Sequence, residues 1–265
     1  MTAPLMLEIT NLGKRFPARA GREPPPWIIQ DMSFTVGAGE LLTIVGPSGA
    51  GKSTLLNIIA QIDVASAGEI VFDGERIAGG EQKALHPGLN RRIGYVTQDD
   101  SLLPWRTTID NVLFPLEVQG TLDDAGRARA QELIRAVGLT GFERYYPHEL
   151  SGGMRKRAAL IRTLVYDPPM ILMDEPFAAV DAQTRTQLQE DLLRLWSLKR
   201  KTIIFVTHDI TEAIALGDRA LVLTRQPAHI AAEHLIPIPR PRNVKDIFTM
   251  PNFASIYERI RADVQ

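Results

Sequence analysis

Residues 46–53 have the types and spacing of a phosphate-binding loop. The stretch GPSGAGKS fits the pattern G-x-x-x-x-G-K-[ST], and it lies between a predicted strand over 41–45 and a predicted helix over 54–59. Glycines let backbone N–H groups approach phosphate oxygens, while the start of the helix favours negative charge. The flanking strand and helix make a purely structural glycine turn the weaker interpretation. We predict phosphate contacts from Gly46, Pro47, Ser48, Gly49, Ala50, Gly51, Lys52, Ser53 and Thr54, with Ser53 also on Mg²⁺.

Two adjacent carboxylates, Asp174 and Glu175, follow the apolar run 170–173, which is typical of a strand buried on both faces. In phosphoryl transfer, an aspartate in this position typically holds Mg²⁺, often through water, and the next carboxylate polarises the attacking water. The pair by itself is also compatible with a solvated turn before Pro176. The phosphate loop in the same chain favours the catalytic interpretation.

One histidine, His208, follows a second buried run over 203–206. A single histidine in such a place is more often structural. Its neighbours Thr207 and Asp209, and its expected position at the same edge of the sheet, favour a contact with the γ-phosphate. The remaining histidines show no metal-ligand spacing, so we predict no metal site built from protein ligands alone.

Composition narrows the possible classes of protein. Of 265 residues, 45% are apolar, which is sufficient for a sizeable core. Lys and Arg number 30 against 31 Asp and Glu, so the charge balance gives no basic footprint for nucleic acid. The chain contains no cysteine, which excludes disulfides and thiolate chemistry. We identify neither a signal peptide nor an apolar run long enough to span a bilayer.

The elements that must position these residues alternate between strand and helix, which favours a βαβ architecture. Short strands and a hairpin turn at Asp73-Gly74 are predicted in the first part of the chain, and a helical insertion is predicted from about 100. Within this insertion, apolar spacing predicts a helix over 123–137. A stripe of Leu188, Leu192, Leu195 and Trp196 predicts another helix, and a short helix is predicted over 253–262.

Several motifs together resemble the ATP-binding cassette of ABC transporters over about residues 7–225. The order and spacing of the set carry the resemblance; only the first motif is specific alone. The motifs are GPSGAGKST, Gln98, LSGG at 150–153, ILMDE at 171–175, AVD at 179–181 and His208. The resemblance implies an α/β P-loop NTPase core, with a mostly parallel sheet and flanking helices. It also implies an antiparallel β subdomain and a helical signature subdomain over about 100–165.

The resemblance also implies a homodimer that sandwiches two ATP molecules head to tail. Ser151, Gly152 and Gly153 would face the γ-phosphate bound by the other chain, although Ser151 also fits a plain helix N-cap, and both roles are compatible. Phe16 matches the aromatic residue that stacks on adenine. Gln98 would sense Mg²⁺ and the attacking water, Asp174 would hold the metal, and Asp181 would lie in the loop that connects the two sites.

A narrower resemblance, to the importer ATPases for nitrate, sulfonate and taurine, covers nearly the whole chain. The stretches that carry it are QDDSLLPWRTTIDN, LSGGMRKR, DEPFAAVDAQTR, VTHDITEAI and PRPR. It implies a cassette over 5–225, a tail over 226–265 without a regulatory domain, and a peripheral position at the cytoplasmic face of the inner membrane. The implied partners are two permease subunits and, indirectly, a periplasmic or lipid-anchored substrate-binding protein.

The same likeness implies a groove that receives a short helix of the permease. The groove would be lined by Leu102, Leu103, Pro104, Trp105 and Asn111, with burial in the core as the alternative for the two leucines. Two other functions remain as alternatives: a cassette ATPase that acts on DNA or ribosomes, and a nucleotide-binding regulator without turnover. The lack of a coiled coil or second cassette disfavours the first, and Glu175 with His208 disfavours the second.

Overall fold

The computed structural model describes residues 4–17, 23, 25–79 and 88–264. The strands are β1 (Leu5–Lys14), β2 (Ile29–Gly37), β3 (Leu41–Val45), β4 (Ala67–Phe72), β5 (Glu75–Ala78), β6 (Ile93–Val96), β7 (Met170–Asp174), β8 (Thr202–Thr207), β9 (Arg219–Leu223) and β10 (Ile230–Leu235). The α-helices are α1 (Lys52–Ile59), α2 (Thr108–Gln119), α3 (Asp124–Ala136), α4 (Gly152–Leu164), α5 (Ala182–Lys199), α6 (Ile210–Leu216) and α7 (Phe253–Asp263).

The chain divides into two compact units. The first comprises the described residues within 1–90 and 201–265, and the second comprises residues 91–200. The first unit therefore holds the phosphate-loop motif and His208, and the second holds Gln98, the LSGG motif and the carboxylate pair. The sequence-based boundaries, with a cassette over 5–225, a helical part over about 100–165 and a tail over 226–265, stay predictions.

The first unit contains an antiparallel sheet with the strand order β2-β1-β4-β5. Apolar side chains alternate along its strands, so that Leu7 and Ile9 on β1 are buried with Ile70 and Phe72 on β4. The predicted hairpin joins β4 to β5, and both turn residues, Asp73 and Gly74, have positive φ. The predicted antiparallel β subdomain is confirmed.

A second set of strands in the same unit has the order β10-β9-β3-β8. Strand β3 pairs in parallel with β8 and with β9, while β10 pairs antiparallel with β9. Every residue of β3 and β8 is buried, as their continuous apolar runs predict. Helix α6 packs on β3 and β8, and α7 packs on α6 and β10. The tail thus contributes α7 to the packing of this unit.

The tail is anchored by Arg242, whose guanidinium is buried and donates to the carbonyl oxygens of Ile214, Gly217, Ile236 and Ile238. Burial lowers the pKa of Arg242 to about 10. These bonds offset the cost of burying the charge, because Nε and both terminal nitrogens of the guanidinium donate to carbonyl oxygens.

The second unit pairs β6 in parallel with β7 and adds helices α2 to α5. Asp123 caps α3 by accepting a hydrogen bond from the backbone N–H of Gly126, so the helix predicted over 123–137 is confirmed within one residue at each end. The predicted apolar stripe lies on the buried face of α5. Helix α2 packs on α3 and α4, and α4 also packs on α5 and β6.

Across the described ranges, no helix combines the length and apolar character needed to cross a membrane. The sequence also predicts a loop with Gly and Pro over 18–26, and it falls mostly on residues that the structure does not describe.

Candidate functional site

The phosphate loop and His208 leave the sheet of the first unit at the same edge. Val45, the last residue of β3, is paired with Thr207, the last residue of β8. Gly46 and His208 are the next residues of the two strands. The carboxyl edge of a parallel sheet is the usual place for ligand binding in α/β proteins. The predicted placement of His208 at this edge is confirmed.

The loop has the backbone shape that a phosphate cradle needs. Gly49 and Gly51 have φ values of 79° and 76°, in the left-handed region that favours glycine. A Cβ atom built on Gly49 would have nothing within 4 Å, so this side of the loop is open. On Gly46, by contrast, a Cβ would lie 3.0 Å from the carbonyl oxygen of Leu223. The loop is therefore packed on the β9 side and accessible above Gly49.

Lys52 begins helix α1 and is buried beneath the loop. Its Nζ donates to the carbonyl oxygens of Gly46 at 2.8 Å and of Pro47 at 3.1 Å. Ser48 and Ser53 are exposed on the same stretch, and Thr54 is half-buried. The Lys52 ammonium and the backbone N–H groups of a glycine loop at a helix start are donors suited to phosphate oxygens. The residues present therefore fit a nucleoside triphosphate.

Phe16 follows β1 and is about half exposed, with a relative accessibility of 51%. The Nζ of Lys14 lies 5.3 Å from the centroid of its ring. Lys14 is in turn held by Asp63 at 2.6 Å and by the carbonyl oxygen of Val64 at 2.8 Å, both shortly after α1. An exposed ring fixed on one side in this way is compatible with stacking on a base, which stays a prediction.

The backbone around His208 is fixed by its neighbours Thr207 and Asp209, which the sequence already indicated, and by Glu212, which it did not. Thr207 Oγ1 donates to the buried carboxylate of Glu212 at 2.5 Å and accepts from the N–H of Asp209 at 3.0 Å. Asp209 caps α6 by accepting from Thr211 and Glu212. His208 itself is exposed. The available sequence signal was the acid four residues after the histidine, since it lies on the first turn of α6.

In the second unit, Gln98 and the carboxylate pair also share one sheet edge. Val96 on β6 is paired with Met173 on β7. Gln98 therefore lies two residues past the edge, Asp174 lies at it, and Glu175 follows. Gln98 is exposed, and both acids are half-buried. The predicted position of the pair at the end of a buried strand is confirmed.

Glu175 has a φ of 44°, a left-handed conformation that is uncommon for a residue with a side chain. Such conformations cost free energy and are concentrated at functional sites. Close by, burial and the charge of Asp174 raise the pKa of Tyr95 on β6 above its ordinary value. Tyr95 therefore stays a neutral hydroxyl next to the carboxylates. Among the described residues, no group of three or more His, Cys, Asp or Glu side chains is arranged to hold a metal ion.

The LSGG motif begins helix α4. Ser151 is its N-cap and accepts a hydrogen bond at Oγ from the N–H of Met154 at 3.3 Å, so the capping role is confirmed. Ser151 and Gly152 are exposed at this end of the helix. The proposed contact of the motif with the phosphate of a second chain stays a prediction.

Gly153 lies against the start of α5. A Cβ atom on Gly153 would come within 2.6 Å of Thr184 Cγ2. Asp181 caps α5 by accepting from the N–H of Thr184 at 3.0 Å, and this hydrogen bond lowers the pKa of Asp181. The two N-caps, Ser151 and Asp181, therefore belong to helices in direct contact. Thr184 was missed because its role depends on a contact that is distant in sequence.

The residues predicted to line a permease groove differ in exposure, and the groove itself stays a prediction. Asn111 is fully buried, and its side-chain amide bonds the backbone of Leu103, Arg106 and Thr107, so its assignment as a groove residue is wrong. Leu102 is likewise buried, as the core alternative had it. Leu103 is half-buried, while Pro104 and Trp105 are exposed, and Trp105 has a relative accessibility of 71%. Asn111 holds the turn that presents Trp105.

The comparisons with known proteins agree with this geometry. The family model described as ABC transporter matches residues 29–178, which is more than half of the chain. Among solved structures, the chain is similar to the dimeric structure of MJ0796, a bacterial ABC transporter cassette. The TM-score is 0.74 at 32% identity, covering 87% of this chain and 99% of that one. The same cassette has been solved in a post-hydrolysis state bound to ADP and Pi. The chain belongs to the ABC transporter family.

Two curated relatives are similar over nearly their full length. The aliphatic sulfonates import ATP-binding protein SsuB of Bacillus cereus is 39% identical over 241 residues, with 90% of each chain covered. The taurine import ATP-binding protein TauB of Rhizobium johnstonii is 40% identical over 261 residues, which cover 97% of this chain and 95% of that protein.

The close approach of Gly153 to Thr184 gives a testable prediction. Gly153→Ala should lower the free energy of unfolding by about 1 kcal/mol or more, because the added methyl overlaps Thr184 Cγ2. Gly152→Ala is the matched control, since the nearest atom to its Cβ is Arg155 Nη2 at 3.9 Å. Thr184→Ser removes Cγ2, keeps the hydroxyl and should rescue Gly153→Ala. Urea unfolding gives the free energy of unfolding of the parent, of Gly153→Ala, of Gly152→Ala and of the double variant Gly153→Ala/Thr184→Ser. Equal losses of stability in the two single variants would contradict the contact.

Proposed function

We propose that this chain hydrolyses ATP to ADP and phosphate and thereby drives the import of a small solute through a membrane transporter. The observation that carries the proposal is the phosphate loop with its buried Lys52, together with an intact glutamate in a strained backbone position after β7. A nucleotide-binding regulator without turnover has no need of the second feature. The names of the relatives supply the transport context.

The phosphate loop is the part of the chain that we propose binds ATP. Backbone N–H groups of the loop and the ammonium of Lys52 bind the phosphate oxygens of ATP, while Phe16 stacks on adenine. Ser53, Asp174 and, at the γ-phosphate side, Gln98 are the residues that we assign to Mg²⁺. When bound, Mg²⁺ neutralises charge on the phosphate oxygens. Hydroxyl, carboxylate and amide oxygens are the ligand types that this cation prefers.

In the proposed hydrolysis, the oxygen of a water molecule bonds to the γ-phosphorus and the bond from that phosphorus to the β–γ bridging oxygen breaks. Glu175 orients the water and accepts its proton. Lys52 and His208 stabilise the charge on the transferred phosphoryl group. Thr207, Asp209 and Glu212 hold the backbone from which His208 projects, so they act through its position rather than on the substrate.

We further propose that two copies of the chain form the working unit. Ser151, Gly152 and Gly153 of one copy bind the γ-phosphate held by the loop of the other. The exposed start of α4 and its N-terminal dipole support this role. The contact of Gly153 with Thr184 on α5 supports a role for Asp181, the N-cap of α5, close to the LSGG motif. Dimeric assembly of the related bacterial cassette agrees with the proposal.

The solute class that we propose is that of nitrate, sulfonates and taurine, in keeping with the relatives named for aliphatic sulfonates and taurine. The chain would act at the cytoplasmic face of the cell membrane with two permease subunits, and a substrate-binding protein would deliver the solute to them. Trp105, exposed next to the segment of Gln98, is the apolar residue best placed to contact a permease helix.

Glu175→Gln should lower kcat for ATP hydrolysis by about 100-fold or more, because the amide cannot accept the proton of water. ATP binding should be retained, since the substitution leaves the loop unchanged. Phosphate release and equilibrium binding of a fluorescent ATP analogue measure the two effects. Glu132→Gln, an exposed acid on α3, is the matched control. Parental turnover by Glu175→Gln would refute the assigned role.

Ser151→Asp should abolish ATP-dependent dimerisation, because aspartate caps α4 as well as serine but repels a γ-phosphate from the other copy. Sedimentation of the Glu175→Gln protein with and without the added Ser151→Asp measures the effect. The unfolding free energy of the nucleotide-free protein should stay within about 0.5 kcal/mol of the parent. Undiminished dimerisation would mean that the motif does not contact nucleotide across the interface.

A strain without this chain should lose the uptake of labelled taurine or an alkanesulfonate. Uptake should return with the parent gene and fail to return with Glu175→Gln, since transport depends on turnover. An unrelated amino acid serves as the control solute. Normal uptake of taurine, alkanesulfonate and nitrate in the deletion strain would reject the proposed solute class while leaving the ATPase assignment to the kinetic tests.

A further inference from the structure

The segment that carries Gln98 is folded tightly after β6. Ser101 has a φ of 49°, so the backbone turns back on itself there. Thr97 Oγ1 donates to the carbonyl oxygen of Asp99 at 2.8 Å and lies 3.2 Å from Ser101 Oγ. Gln98 and its neighbours Asp99 and Ser101 are exposed, so core packing holds this segment, residues 97–103, only at its C-terminal end, where Leu102 is buried.

Three basic side chains of α4 bind this segment instead. Arg162 donates to two consecutive carbonyl oxygens, that of Asp100 at 3.1 Å and that of Ser101 at 2.7 Å. Arg155 Nε donates to the carboxylate of Asp100 at 3.0 Å. Lys156 Nζ donates to the carbonyl oxygen of Gln98. The contacts reach the main chain of Gln98 itself and of the residues on its C-terminal side.

These contacts are in part buried, and most of them reach main-chain carbonyl oxygens rather than side chains. The side chains of Arg155 and Asp100 are only 36% and 29% exposed. Arg155 also donates to the carbonyl oxygen of Leu150, directly before the LSGG serine. Burial lowers the pKa of Arg162 and of Lys156, and the charge of Asp100 acts against this shift at both. Removing the hydrogen-bond partner of a polar group that has lost water costs free energy, because the group is then left unsatisfied.

Arg157, which follows Lys156 on α4, binds a different neighbour. Arg157 Nε donates to the buried carboxylate of Asp191 on α5 at 3.0 Å, and Arg194 bonds the same carboxylate at 2.9 Å. Helix α4 is therefore tied to α5 by one side chain and to the segment of Gln98 by three others. The basic residues that follow LSGGM in the sequence therefore bind α4 both to the segment of Gln98 and to α5.

We propose that Arg155, Lys156 and Arg162 are positioning residues that hold the Gln98 segment on helix α4, with Asp100 as the acidic partner. Because α4 begins at the LSGG motif, the position of Gln98 is coupled through one rigid helix to the residues assigned to the second nucleotide. The proposal rests on the proposed function for the role of Gln98. The attachment itself lies within one unit of the structure and is testable without nucleotide.

Amide hydrogen exchange of the nucleotide-free protein tests the attachment. Arg155→Ala and Asp100→Ala should each accelerate exchange over 97–101, and the double variant should exchange no faster than the faster single one, because both remove the same ion pair. The amide of Leu102 is left out because it donates directly to Asp100 Oδ1. Arg127→Ala, an exposed arginine on α3, is the matched control and should leave these amides unchanged. Parental exchange in both single variants, or additive effects in the double one, would overturn the proposal.

Steady-state kinetics test the consequence for turnover. Arg155→Ala should lower kcat about fivefold with little change in KM for ATP, because the phosphate loop is untouched. The same substitution made in a Gln98→Ala protein should have no further effect on kcat. An equal loss of kcat in that background would show that Arg155 does not act through Gln98, and would overturn the proposal. Parental turnover by Gln98→Ala would instead reject the proposed role of Gln98 itself, so the two failures are distinguishable.

Discussion

The parallel register of buried strands is the constraint on which the candidate site depends. Pairing of Val45 with Thr207 brings the phosphate loop and His208 to one edge, and pairing of Val96 with Met173 does the same for Gln98 and the carboxylates. A shift by one residue would turn every side chain of a strand to the opposite face. Because β3 and β8 are buried throughout, such a shift would exchange the side chains packed on the two faces of the sheet. Close packing on both faces therefore fixes the register, and the register sets the positions of the candidate functional residues.

Hydrogen bonds from neighbouring polar side chains hold the loops that carry the candidate functional residues. After His208, the N–H of Asp209 donates to Thr207 Oγ1, which itself donates to the carboxylate of Glu212. Asn111 bonds the turn that carries Trp105, and Lys52 bonds carbonyl oxygens of the phosphate loop. In each case a side chain bonds main-chain atoms or a neighbouring residue a few positions away. The loops at the edge of the sheet make no regular inter-strand hydrogen bonds. Their backbone conformation is therefore held by these side-chain hydrogen bonds.

Sequence patterns were sufficient wherever the determining interactions are local. The glycine loop, the hairpin at Asp73-Gly74, the cap at Ser151 and the buried runs of β7 and β8 all carry their signal within a few residues. Asn111 was misassigned because the sequence does not tell whether a polar residue next to an apolar stretch is exposed or satisfied inside. The separate attachments of Arg155 and Arg157 were likewise invisible, since their partners, Asp100 and Asp191, are distant in sequence.

The contact between the starts of α4 and α5 has a consequence for how the chain can change over time. Positions 153 and 184 share one small volume, since a single added methyl at the first would meet the methyl of Thr184. A larger residue at 153 is tolerated only after position 184 has become smaller, whereas the reverse order passes through an overpacked intermediate. The two positions are therefore expected to covary, and the order in which their substitutions accumulate is set by steric exclusion. Neutral substitutions at position 184, in the first turn of α5, thus limit which residues position 153 of the LSGG motif can accept.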